Sequence, residues 1–388
     1  MDRRSITWAG VGGAALAALG CAAGAGASPD AKIDGPPLGF EPDQRFVRRA
    51  RALLRTHPAI DVHAHPGRTF VRDAVGLSAA LTAFSAGGAF EDRAIADMRE
   101  GLVCGGSFSL VADFQVLDFA GAGLVAGREF RPGEARESYQ RQMSALKRAL
   151  GEQGAAIVLT PDDFRRALVA HSVGALVSVE GADFLDGDVG NVERAFSDGV
   201  RSITLVHYRP NELGDIQTAA AVHDGLTSFG ADVIREMDRL GMVVDLAHAS
   251  EATASGALQT CTRPVVCSHT HIQGRGAENP RFISAGLAGE ICRRGGVIGA
   301  WPAGIGMTTM NEFVDRIFDL ADVLGPEHVC LGTDIDANFR PVFTSYRQTP
   351  LLVSELLRRG YGEENVVAFV GGNFLRVFDT VWNGRQTS

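Results

Sequence analysis

The chain has 388 residues, 45% of them hydrophobic and 21% charged, with a formal net charge of −9. That is ordinary globular composition, long enough for two domains or for one α/β barrel. The acidic balance, with no basic tract, argues against a nucleic-acid partner.

Residues 1–28 do not belong to the fold. A charged start (M-D-R-R-S-I-T-W) leads into a weakly apolar Gly/Ala stretch with A-x-A sites ending at Ala25 or Ala27, the pattern of a secretory signal. Arg3-Arg4 followed by Ser5-Ile6 resembles a twin-arginine export signal, and Leu19-Gly20-Cys21 looks like a lipoprotein cleavage box. The expected location is therefore the periplasm or cell envelope, with a lipid anchor at Cys21 as one form of it. The stretch is too short and too Gly-rich for a span, which takes about 20 apolar residues, and no other candidate span follows. Residues 29–44, rich in Pro, Gly and Asp, read as a linker, leaving 45–382 as the folded domain.

From there short apolar runs alternate with amphipathic helical stretches, the signature of βα units around a parallel sheet. The strand-like runs are 59–65, 102–110, 175–182, 201–207, 241–248, 264–269, 295–301 and 328–334. A helix over 226–240, with Thr227 as its cap, is the clearest of those between them. Eight such units predict a closed (β/α)₈ TIM-like barrel, whose active site forms at the C-terminal ends of the strands. Cys104, Cys261, Cys267, Cys292 and Cys330 contain no C-x-x-C pair. Cys267 and Cys330 lie in apolar runs as small buried residues, and one disulfide among the five is compatible with their number.

The ends of the runs carry the chemistry. His63 and His65, Glu180, His207, His248, His269 and Asp334 close six of them. In A-I-D-V-H-A-H, His63 and His65 are two apart and share a strand face. Neutral imidazole is the commonest metal ligand, and this inventory suits Zn²⁺, with Mn²⁺ or Co²⁺ also compatible. A two-metal site needs one ligand that touches both ions. The only lysines, Lys32 and Lys147, are at no strand end, which excludes a carbamylated lysine and leaves Glu180 as the bridge. His271 competes with His269, which ends its run directly and is preferred. Asp245 lies within its strand and reads as structural, and Asp336 as a buttress; His57, His171, His223 and His328 read as loop or edge residues.

The order of S-V-E-G, L-V-H, G-L-T-S-F-G, G-M-V-V-D-L-A-H-A-S, S-H-T, L-G-T-D-I-D and G-G-N-F-L-R-V-F resembles the membrane (renal-type) dipeptidases, from about Phe46 to Phe378. The resemblance implies a zinc dipeptidase of the amidohydrolase superfamily, often a homodimer, that binds two Zn²⁺ per chain and a small dipeptide. It implies His63 and His65 on one ion, His248 and His269 on the other, Glu180 bridging, His207 near the scissile carbonyl, and Asp334 on the water. Arg281, in N-P-R-F, is similar to the family's arginine for the substrate carboxylate, with Arg275 as the fallback. The opening motif departs from the pattern: H-A-H stands where the family has H-x-D, leaving the site about one unit more positive. Two other readings are another binuclear barrel hydrolase acting on a lactone, cyclic amide or phosphoester, and a non-catalytic, metal-stabilised envelope binding protein.

Overall fold

A computed structural model describes residues 35–86, 93–120 and 123–386. The export signal and Cys21 therefore lie outside the described residues. In chain order the strands are β1 (Ile60–Ala64), β2 (Gly105–Val111), β3 (Leu117–Ala120), β4 (Gly123–Ala126), β5 (Ala155–Ile157), β6 (Val173–Glu180), β7 (Val200–Thr204), β8 (Val243–Asp245), β9 (Val266–Thr270), β10 (Val297–Ala300) and β11 (Val329–Leu331). Eight of them pair in the parallel order β1-β2-β6-β7-β8-β9-β10-β11. The ring closes where His63 O accepts from Asp334 N (2.8 Å) and Ile335 O from His65 N (3.0 Å). This is a (β/α)₈ barrel, and all eight expected runs supply its strands.

Three strands were not legible. β5 pairs with residues 173–175 of β6, below the point where β7 takes over the same edge. β3 and β4 form an antiparallel hairpin outside the barrel, after β2.

The barrel interior is layered. Ile60, Leu176, Val243, Val266, Val297 and Cys330 form one apolar layer at the N-terminal end. The last helix, Asn373–Asn383, packs Phe374, Val377 and Phe378 against it and closes that end. Above this layer the interior becomes polar. Ser107 donates to Ser178 (2.7 Å), while Asp245 accepts from Thr204 Oγ1 (2.8 Å) and Ser268 Oγ (2.6 Å). Asp245 is thus the structural hydrogen-bonding group its place within a strand suggested. The strands approach so closely here that a Cβ at Gly299 would lie 1.7 Å from the Ser268 carbonyl oxygen.

Outside the barrel, helices bury one face against the strands. Thr227 caps Ser228–Leu240 by accepting from Gly230 N (3.0 Å). Thr309 and Glu312 form a capping box on Met310–Leu324. The carbonyls of Pro37 and Leu38 accept from Met310 N and Asn311 N at that helix's start, so this part of 29–44 is docked on the barrel. The five cysteines of the described region are all free, and the disulfide that their number allowed is not formed. No helix among the described residues is long and apolar enough to cross a membrane.

Candidate metal centre

Each strand delivers its polar residue by one of two local routes. Glu180 is the last residue of β6, His269 lies inside β9, and His65 is one residue past β1. His207, His248 and Asp334 instead stand three residues beyond β7, β8 and β11. Their strands are shorter than the apolar runs suggested because the chain turns before the run ends. His248 (φ 65°) and Asp334 (φ 53°) take left-handed backbone conformations that turn their side chains over the barrel mouth. Non-glycine residues hold that conformation at a cost, and it clusters at functional sites.

Glu180 is the centre of the arrangement. Its Oε1 lies 3.3 Å from His63 Nε2, 2.9 Å from His248 Nε2 and 3.5 Å from His269 Nε2. Its Oε2 lies 3.4 Å from His65 Nε2 and 3.3 Å from His207 Nε2. His65 Nε2 is also 3.4 Å from Asp334 Oδ1. All these side chains are buried, Asp334 least so. Burial alone would neutralise Glu180, but His207, His63 and His248 outweigh it and hold the carboxyl well below its usual range. Burial, with Arg281 beside them, pushes His248 and His269 well down, so both present lone pairs. At His65 burial opposes protonation, yet Asp334 and Glu180 raise it to about 10, so a proton and a cation compete for that nitrogen.

Two triads share Glu180: His63, His65, Glu180 and Glu180, His248, His269, each with ligand atoms within 4.8 Å of one another. These residues fit metal. His248 Nε2 and His269 Nε2 face each other at 3.1 Å, a contact that needs a cation or proton between two lone pairs. His63 Nε2 is buried and makes no hydrogen bond. The remaining ring nitrogens are partly fixed from behind: His65 Nδ1 by the Ser109 carbonyl (3.0 Å) and His269 Nδ1 by Ser268 Oγ (3.0 Å). Such outer contacts set the tautomer of a metal-binding imidazole.

His271 is turned away. Its Nε2 meets the Arg275 carbonyl (3.0 Å), its ring packs on Phe282, and burial lowers it to about 4. Arg281 is buried at the mouth, with Nη2 3.1 Å from His269 Nε2 and its guanidinium carbon 5.2 Å from the Trp301 ring. Arg275 is exposed, so of the two arginines only Arg281 reaches the cluster. Asp336 accepts from Gly67 N (2.9 Å), tying the loop after β1 to the one after β11.

One residue of the site escaped sequence reasoning. Asp113, fully buried two residues past β2, places Oδ1 2.6 Å from His207 Nδ1, and its Oδ2 accepts from Tyr208 N (3.0 Å). Against burial, Asp113 and Glu180 raise the proton affinity of His207. The only sequence signal was a further acid after a strand, hidden because the run was expected to end at 110.

Residues 47–388 match the model of the membrane dipeptidase family (peptidase family M19). The chain belongs to that family. Among curated relatives it is similar to dipeptidase verJ of Clonostachys rogersoniana, at 31% identity over 54% of this chain and 55% of that one. Dipeptidase 3 of Rattus norvegicus is 28% identical over 56% of this chain and 46% of its own. The chain thus spans about half the length of the curated relatives it matches. Among solved structures, a Rhodobacter sphaeroides metallopeptidase liganded with a phosphinate mimic of L-Ala-D-Ala superposes with a TM-score of 0.71 at 19% identity, over 84% of this chain and 99% of that one. Membership in the dipeptidase family agrees with a strand-end cluster whose His and Glu groups could hold metal.

Proposed function

We propose that this dipeptidase-family barrel hydrolyses the peptide bond of small dipeptides at a site for two divalent ions, two Zn²⁺ per chain, with Mn²⁺ or Co²⁺ compatible with the same donors. His63 and His65 would hold one ion, His248 and His269 the other, and Glu180 both. The observation that carries the reading is Glu180 itself, a buried carboxylate whose Oε1 lies within 3.5 Å of three imidazoles and Oε2 within 3.5 Å of two more. Ions bound there supply Lewis acidity and a nucleophile at neutral pH.

The protein's own groups do the rest. Asp334, the most exposed acid of the cluster, accepts a proton from the attacking water and passes it to the leaving amine. His207, held by Asp113, donates to the oxygen that gains charge on the scissile carbonyl. Arg281 takes the substrate's free carboxylate through two parallel N–H bonds. The proposal extends to a homodimer exported to the cell envelope through the Arg3-Arg4 segment, with Cys21 as a candidate for lipidation.

The test is ninhydrin-detected hydrolysis by the zinc-loaded protein of dipeptides, their C-blocked amides and a tripeptide, with metal content measured in parallel. Cleavage confined to substrates with a free carboxylate next to the scissile bond is expected. Silence across the panel with two metals bound per chain sinks the proposal.

A further inference from the structure

The cavity above the candidate metal centre encloses about 670 Å³, and both Arg281 and a group of phenylalanines line it. The ring order sets these two features at opposite ends. Arg281 follows β9 and lies 3.1 Å from His269. Four strands round the ring from β9 is β2, on the far side of the barrel. There the segment leaving β2 supplies Phe114 and Phe119, the loop after β1 supplies Phe70, and the helix Ala79–Ala86 supplies Phe84. Phe70 meets the centre itself, 5.2 Å from the His65 ring, and Phe114 lies 5.0 Å beyond it. Nearer the rim, Phe84 and Phe119 are 6.2 Å apart.

Phe70, Leu81, Phe114 and Leu117 form an apolar cluster separate from the barrel core, with Phe84 and Tyr208 packed against it. Small satellite clusters under loops often serve only to hold the loop down. This one does more than that, because Phe119 continues it onto the cavity while 47% exposed. An apolar face left open beside a few convergent polar groups is the mark of a ligand pocket. The wall also reaches the reacting end of the site, since the Tyr208 ring lies 4.5 Å from that of His207. A dipeptide laid along the cavity would have its carboxylate on Arg281 and its scissile carbonyl over Glu180 beside His207. The side chain of its N-terminal residue then faces the phenylalanines.

We propose that Phe70, Phe84, Phe114 and Phe119 form the subsite for the N-terminal side chain, and that the preferred substrates are free dipeptides whose first residue is long and apolar or aromatic. This rests on the dipeptidase reading above and adds to it the identity of the residue on the acyl side. Rings offer contact area and few hydrogen bonds, so the subsite selects by apolar surface. Phe119, carried on β3 of the hairpin outside the barrel, makes that hairpin the element that sets the choice.

The deciding experiment measures kcat/KM of the zinc-loaded full chain on free dipeptides that differ only in the first side chain: alanyl-, 2-aminobutyryl-, norvalyl-, norleucyl- and phenylalanyl-alanine, each with L- and D-alanine. From alanyl to norleucyl, kcat/KM is expected to climb by up to about fourfold per methylene, with phenylalanyl-alanine at least tenfold above alanyl-alanine. Lengthening the second residue instead, in alanyl-norvaline and alanyl-norleucine, should give a shallower climb. Phe119→Ala should flatten the first series. A series that is flat or falls, or one whose slope Phe119→Ala leaves unchanged, overturns the subsite while leaving the dipeptidase reading standing. No cleavage of any of these dipeptides by protein with its metal bound overturns both.

Discussion

Asp334 and Asp113 are both buried acids beside a histidine of the centre, yet they answer for different things. Asp334 is the group assigned to the moving proton, so Asp334→Asn should lower kcat by about 10²–10⁴-fold. Metal content by atomic absorption should stay at the wild-type value, and loss of metal along with activity would make Asp334 a ligand instead. Asp113 acts only through His207. Asp113→Asn is expected to lower kcat by about 10–100-fold and to leave KM within twofold, a split that a general loss of structure would not give. At this scale most of the candidate cluster was legible in the sequence. His63, Glu180, His207, His248, His269 and Asp334 announced themselves because a polar side chain ending an apolar run has few structural uses. Asp113 did not, since its reason lies 94 residues away in the His207 ring, a proximity that only the closed barrel creates.

The hairpin of β3 and β4 depends on a fastening at its base. Glu134 starts the helix Glu134–Gln153 and receives Arg128 through two bonds of 2.7 Å and Arg131 at 2.9 Å, while Arg128 also donates to the Gln115 carbonyl (3.0 Å). Arg128 above all, against a smaller effect of burial, holds Glu134 down at about 2. A carboxylate whose folded pKa lies below its unfolded value stabilises the fold above about pH 4 and loses that contribution as pH falls through about 2. Glu134→Gln should therefore quicken proteolysis between residues 114 and 131 at pH 7. The melting-temperature gap from wild type should close as pH falls towards 2; a gap independent of pH would refute the ion-pair account. A second fastening joins β1 to the segment after β11, where Asp61 accepts from Thr333 N (3.0 Å) and the Tyr346 hydroxyl (2.8 Å). Removing that hydroxyl in Tyr346→Phe takes one hydrogen bond from a buried carboxylate that Thr333 still holds and should cost about 1–2 kcal/mol in urea unfolding. The barrel strands were readable from period and length. The hairpin was not, because F-Q-V-L-D-F-A and G-L-V-A continue the apolar texture of β2 with no turn signal strong enough to divide them.

For the molecule as a whole, the candidate metal centre gathers five imidazoles and two carboxylates at one end of the barrel, so ions bound there should also hold the fold together. Removing metal with a chelator is expected to lower the melting temperature by roughly 5 °C or more and zinc to restore it, since a ligand that binds only the folded state stabilises by mass action. An unchanged melting curve, with metal shown to be gone, would mean that the barrel is rigid without its ions. The ring order was implicit in the sequence as soon as eight units were counted, but the place where it closes has a consequence in time. The first and last strands of the ring, β1 and β11, lie side by side, and the centre needs His63 and His65 from one and Asp334 from the loop after the other. A chain growing from its N-terminus therefore displays two histidines from near residue 60 through almost the whole of its synthesis. Their acid partner arrives some 270 residues later, so a chain cut short before β11 carries every imidazole of the cluster and Glu180 but not the acid assigned above to the moving proton.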